Sequence, residues 1–125
     1  MRFSAITAFV LLCSVLFCSC GKYVAETGKA SYYGVHDGYN GKRTASGEIF
    51  NTNDLTAAHR TIPFNMVVTV KNLNNGKTVT VRINDRGPHN KERIIDLSMA
   101  AAKEIDMLNA GVAEVQIKYR RKKHA

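Results

Sequence analysis

"MVVTVKNLNNGKTVTVRINDRGP", residues 66–88, decides the fold. Two runs, 66–72 and 77–85, alternate apolar and polar residues, and "NLNNGK" between them is built of residues that tolerate positive φ. The pattern predicts an antiparallel β-hairpin with one face against a core. In the second run Val79, Val81 and Ile83 share a parity with Asp85, while Thr78, Thr80, Arg82 and Asn84 point the other way. If the alternation holds to the strand's end, it carries a carboxylate to the rim of the apolar side, where desolvation favours the protonated form and prepares an acid. Arg86 is directed to the opposite face and is not expected to pair closely with Asp85. A second use stays open: Asp85 can cap the Arg86-Gly87-Pro88 turn by accepting backbone N–H groups.

Working outward, "GVAEVQIKY" (111–119) puts Ala113, Val115, Ile117 and Tyr119 on one face and predicts a further strand. "SMAAAKEIDML" (98–108) is rich in helix formers, with Ser98 placed to cap its start and Gly111 just beyond its end. "GKASYYG" (28–34) carries the β-prone Tyr32 and Tyr33. Gly34, Gly38, Gly41 and Gly47 then punctuate a long loop. Short strands with one or two short helices in a chain of 125 residues leave room for one core, and a compact barrel closes such strands without exposed edges.

The first residues are of another kind. "AITAFVLLCSVLF" (5–17) is too short to span a bilayer but suits the apolar region of a signal peptide. "LFCSC" followed by Gly21-Lys22 resembles the lipobox of bacterial lipoproteins, with Cys20 the lipidated residue; a plain secretory signal or an uncleaved anchor is the other reading. The expected organisation is a signal peptide at 1–19, a lipidated tether at 20–27, a barrel domain at 28–119 and a basic tail at 120–125. All three cysteines lie at or before Cys20, so the domain is expected to hold together without disulfides. Formal charge is +8, falling to +7 once Arg2 is removed, and five basic residues stand between Lys118 and Lys123. Such a run meets polyanions of the envelope or simply solvates the chain. A nucleic-acid partner is not expected for an exported lipoprotein, and a monomer is.

Glu48 and Ser46 in "TASGE", His59 and Arg60 in "AAHR", and Asp85 are the side-chain types that move protons or hold oxygen-rich ligands. Their spacing matches no metal signature, so neither a metal nor another cofactor is expected.

"GKASYYG", "GKRTASGEIFN", "LTAAHRTIPF", "VRINDRGP" and "RIIDLSMAAAKEI" occur in that order. Together they resemble the rare lipoprotein A family over residues 28 to about 119. The resemblance implies a six-stranded double-psi β-barrel, also found in expansins, located in the bacterial envelope and acting on peptidoglycan. It implies a lytic transglycosylase that prefers strands stripped of stem peptides, with Asp85 as the catalytic acid. Glu48 and His59 would line the same groove, Asp96 of "IDLS" recurs in the barrel's motif, Arg86 would hold substrate oxygens or the barrel turn, and Ser46 and Tyr33 would support the groove. Cys20 would anchor the protein, with the outer membrane expected because Gly21 supplies no retention signal. A non-catalytic, expansin-like peptidoglycan-binding lipoprotein is the alternative. Two departures stand out: His89 where an aromatic residue is usual, and Asn65 where glycine is usual.

Overall fold

A computed structural model describes residues 22–121. The expected signal peptide, Cys20 and most of the basic tail lie outside the described residues. Six strands and one α-helix follow in the order β1 (Tyr23–Tyr33), β2 (Thr56–Ala58), β3 (Val67–Asn72), β4 (Thr78–Asp85), β5 (Arg93–Ser98), α1 (Met99–Glu104) and β6 (Ala113–Arg120). They close into a barrel ordered β1-β5-β2-β4-β3-β6. The pairs β1–β5 and β2–β4 are parallel and the rest antiparallel. This is the mainly β, double-psi architecture that the sequence pattern and resemblance predicted.

The hairpin forms where the alternation placed it. Val68, Val70, Val79, Val81 and Ile83 are buried, with Val68 opposite Val81 and Val70 opposite Val79. Gly76 takes φ 76° in the turn and donates its N–H to the Asn72 carbonyl. From the other side Ile95, Leu97, Val115 and Ile117 complete the core. Each such side chain contributes roughly 1.5–3 kcal/mol on burial, so the core, with no cysteine in it, carries the fold. α1 starts at the predicted cap: the Ser98 hydroxyl accepts the Ala101 N–H at 3.2 Å. It ends sooner than its composition suggested. Asp106 turns to φ 58°, and Asn72 and Asn75 donate to the Ile105 carbonyl that the helix end leaves over.

One boundary needs correction. β1 begins at Tyr23, and residues 23–27 pair with β6 from Arg120 back to Gln116. They belong to the barrel rather than to a tether, and β6 likewise runs on through Arg120. The segment was obscure because its outward residues, Tyr23, Ala25 and Thr27, are exposed and it lacks a strong apolar alternation. Among the described residues no helix is long and apolar enough to cross a membrane.

Asn65, the departure from glycine, sits at φ 69°. Asparagine is among the few residues with a side chain that visit this region readily. Its N–H donates to the Ile83 carbonyl, and its Oδ1 accepts from Arg82 at 3.1 Å. Asn65→Ala is therefore expected to lower stability by about 1–2 kcal/mol, the cost of the left-handed conformation. Asn65→Gly should stay within about 0.5 kcal/mol of the parent, since glycine adopts that conformation freely. Urea unfolding midpoints of the two variants check this, and equal midpoints would show that the backbone conformation is not what the residue supplies.

Candidate functional site

The site is laid out by register. Ser31 on β1 pairs with Asp96 on β5, Asp96 with Ala58 on β2, and Ala58 with Asp85 on β4. Residues in register on neighbouring strands share a face, so four strands present Ser31, Asp96, Ala58 and Asp85 as one row. The two carboxylates stand two strand spacings apart, roughly 10 Å between Cα atoms, with only an alanine methyl between them. Both line an open cleft of about 220 Å³, together with Tyr33, Tyr39, Arg43 and His89.

Asp85 reaches this row through an irregularity. Ala57 pairs with Ile83 but Ala58 pairs with Asp85, so β4 has gained one residue on β2. The extra residue, Asn84, is 1% exposed. Simple alternation predicted an outward Asn84 and an inward Asp85; Asn84 does share the Glu48 carboxylate with Arg82 and is buried there against residues 44–48, while Asp85 is half-buried at the cleft.

Three donors fix its carboxylate. Oδ1 accepts the backbone N–H of Ala45 at 3.0 Å and of Arg86 at 2.8 Å, while Oδ2 accepts the Tyr33 hydroxyl at 3.2 Å. One oxygen thus caps the turn, and the residue also lines the cleft. Burial first, and then the Asp85 carboxylate beside it, push the Tyr33 hydroxyl well above the usual phenol range, so it stays a donor. The Tyr33 ring stacks on Phe50 at 4.6 Å and meets Tyr39 edge-on at 5.6 Å. Gly34 makes the stack possible, because a Cβ there would lie 2.5 Å from the Phe50 ring. Gly87 has φ 137°, and a Cβ on it would stand 3.9 Å from both Ala58 and the Asp96 Oδ2. Glycine here keeps the floor between the carboxylates open.

The loop that supplies Ala45 is held by Glu48. Its carboxylate receives both Arg82 terminal nitrogens at 2.8 Å and the Asn84 amide at 2.7 Å. The Arg82 hydrogen bonds hold the Glu48 carboxyl below its ordinary range. Glu48 does not line the cleft; it is an ionised clamp that ties residues 44–48 to β4. A pair this exposed contributes about 1 kcal/mol or less, so its value is directional. Ser46 also lies off the cleft, with its hydroxyl 2.8 Å from that of Thr44 and its N–H donating to the Asn84 carbonyl.

His59 likewise departs from expectation. It is 5% exposed and is not among the cleft-lining residues. Its Nδ1 accepts the N–H groups of Thr61 and Ile62, both at 3.1 Å, which leaves the proton on Nε2, 3.4 Å from Glu26. Arg86 turns away from Asp85 as predicted. Its guanidinium donates to the His59 and Ile62 carbonyls and lies 3.9 Å over the Phe64 ring, so it fastens the chain after β2 although part of it borders the cleft. Asp96 accepts the Ser31 hydroxyl on Oδ1, and Arg93 donates to that same hydroxyl at 3.1 Å. Sequence reasoning thus singled out Asp85, Asp96 and Tyr33 and found them together. It misplaced Glu48, Ser46 and His59, and it missed Tyr39, Arg43 and Ala58 on the cleft. Those three carry no local signal, since only the folded loop brings the first two over β4. Among the described residues no three His, Cys, Asp or Glu side chains are grouped to hold a metal ion.

Burial lowers the His59 pKa from its ordinary 6.5, with Glu26 opposing in part. Below the ordinary value the unfolded chain takes up a proton that the folded ring resists. The contribution is present in full above about pH 6.5 and is lost as pH falls through the lower native value. His59→Gln is expected to flatten the fall in Tm between about pH 7.5 and 5. An unchanged slope would show that His59 does not set this dependence.

The family model described as "Lytic transglycolase" matches residues 25–117. A Treponema pallidum protein named "Probable endolytic peptidoglycan transglycosylase RlpA" is 53% identical over 116 residues, covering 93% of this chain and 36% of that protein. The Campylobacter jejuni protein named "Endolytic peptidoglycan transglycosylase RlpA" is 54% identical over 96 residues, covering 75% and 34%. The chain spans about a third of the length of these curated relatives. Among solved structures, Streptomyces papain inhibitor superposes with a TM-score of 0.63 at 27% identity, covering 78% of this chain and 96% of that one. A Clavibacter michiganensis expansin variant in complex with cellohexaose gives 0.61 at 18% identity, covering 82% and 53%, a likeness of fold alone. A match that takes in all but the edges of the barrel, from the third residue of β1 into β6, shows that the chain belongs to the lytic transglycolase family.

Proposed function

We propose that this domain is a lytic transglycosylase that cleaves the MurNAc-GlcNAc β-1,4 bond of peptidoglycan and leaves 1,6-anhydro-MurNAc ends. The observation that carries the reading is Asp85, held by three donors at the edge of an open cleft and facing Asp96 across Ala58. Hydrolysis of a glycosidic bond uses two carboxyls, one as acid and one to activate water or attack the sugar. Transglycosylation takes its nucleophile from the substrate. The Asp85 carboxyl gives its proton to the bridging oxygen, the C1–O bond breaks, and positive charge develops on the sugar ring. The C6 hydroxyl of the same sugar then bonds to C1 and returns its proton to Asp85, so no water is consumed and the acid is regenerated. Asp96, set in place by Ser31, faces the developing positive charge. Tyr33 and the loop clamped by Glu48 fix the position of Asp85, and fixed donors cost no reorganisation during the reaction.

Peptide-free strands are the proposed substrate, as the resemblance in the sequence implies. The chain acts as a monomer in the cell envelope, attached through lipidated Cys20 to the outer membrane on its periplasmic side. The named relatives support the reaction and the envelope setting. A second reading, a module that grips a strand without cutting it, is favoured by the fold shared with an expansin solved with cellohexaose.

The test incubates the chain from Lys22 onward with purified peptide-free glycan strands and seeks anhydro-ended products by mass spectrometry. Asp85→Asn is expected to lower product formation by roughly 10²–10⁴-fold, the usual contribution of a general acid or base. Cleavage by Asp85→Asn at the parent's rate would sink the assignment. Strand binding with no new ends from the parent chain would establish the gripping module instead.

A further inference from the structure

Where β1 begins and β6 ends, Tyr23 pairs with Arg120, and Arg121 donates its backbone N–H to the Lys22 carbonyl at 2.9 Å. The antiparallel pairing brings two distant parts of the sequence to one place: Lys22-Tyr23 and Arg120-Arg121. They come within one strand spacing, about 5 Å. The side chains here face outward. Tyr23 is 70% exposed and Val67 57% exposed, and Lys118 and Arg120 are exposed on the same face of β6. β3 pairs Val68 with Tyr119, so Val67 stands beside Arg120 one step further along. An arginine is thus set between a tyrosine and a valine, all turned to solvent.

The acidic side chains leave this surface clear. Among the outward positions of β1, β3 and β6 the one carboxylate is Glu114, at the far end of β6 and opposite Lys29. Glu26 turns inward to His59. A soluble polyanion would account for the basic residues but not for the exposed Tyr23 and Val67. A bilayer surface accounts for both: phosphates attract Arg and Lys, and amphipathic rings and aliphatic side chains settle at headgroup level.

We propose that this end of the barrel docks on membranes containing anionic phospholipid, through Tyr23, Val67, Lys118 and Arg120, without need of any covalent anchor. The cleft stays uncovered in this pose. Its central strand, β2, lies three strands from β6 whichever way the six-stranded barrel is followed. The docked domain therefore presents the cleft on a different side from the one that meets lipid. This inference does not rest on the reaction proposed above.

The closed six-stranded barrel and its core cluster lie within residues 22–121, so the chain from Lys22 to Ala125 carries the whole barrel for the experiment. It is sedimented with vesicles of phosphatidylcholine alone and of phosphatidylcholine with phosphatidylglycerol. Binding is expected only to the second and should weaken as salt is raised. Replacing Lys118, Arg120 and Arg121 together with Gln should lower it about hundredfold, from roughly five-fold per charge. Tyr23→Ser with Val67→Ser should lower it a further few-fold, and thermal unfolding confirms that both variants fold. Equal binding to neutral vesicles, or a Gln variant that binds as the parent does, would overturn the proposal. So would failure to bind anionic vesicles combined with charge-dependent binding to purified peptidoglycan sacculi, which would assign these basic residues to the wall.

Discussion

The cleft depends on one extra residue in β4. Asn84 keeps the face of Arg82, with which it shares the Glu48 carboxylate, and is buried there against residues 44–48. Because β4 carries this one residue more than β2 across from it, Asp85 falls into register with Ala58 and Asp96. The buried Asn84 amide needs partners, since an unsatisfied polar group in a core costs about 1–3 kcal/mol. Its Nδ2 finds Glu48 and its backbone carbonyl accepts from Ser46, while its Oδ1 has no partner among the described residues. The extra residue thus also seats the loop whose Ala45 N–H binds Asp85.

Charged residues that look chemical in the sequence are mostly spent on this arrangement. Arg82 and Glu48 neutralise each other while pinning the loop, Arg86 ties two carbonyls after β2, and His59 offers Nδ1 to the turn that follows it. What remains facing the cleft is a short set: two carboxylates, the phenols of Tyr33 and Tyr39, the Arg43 guanidinium and the His89 imidazole. The economy suits a small barrel in which a single core must support every loop.

How much of this could be read from the chain follows from the range of the interactions. The β3–β4 hairpin, β6 and the Ser98 cap were legible because alternation and capping are properties of a few adjacent residues. β2 was not: Thr56, Ala57 and Ala58 are all buried, and three residues buried on both sides show no period. The roles of Glu48 and His59 were misread because their partners, Arg82 and Glu26, lie 34 and 33 residues away. Asp85 was singled out by parity and by resemblance to a family, Asp96 by resemblance alone, while the reason they face one cleft, parallel and antiparallel registers meeting at Ala58, is a property of barrel closure alone.

Small residues finish the site as much as charged ones do. Ala58 and Gly87 occupy the space between the two carboxylates, and each leaves it nearly empty. A β-branched residue at position 58 would satisfy strand propensity better, and almost any side chain at 87 would fill the floor while straining the backbone at φ 137°. The barrel forgoes that local stability and recovers it in the apolar layers built by β3, β4 and β6. A domain without disulfides can hold an open, polar cleft on one side because closure leaves no strand edge unpaired and puts the burden of stability on the core.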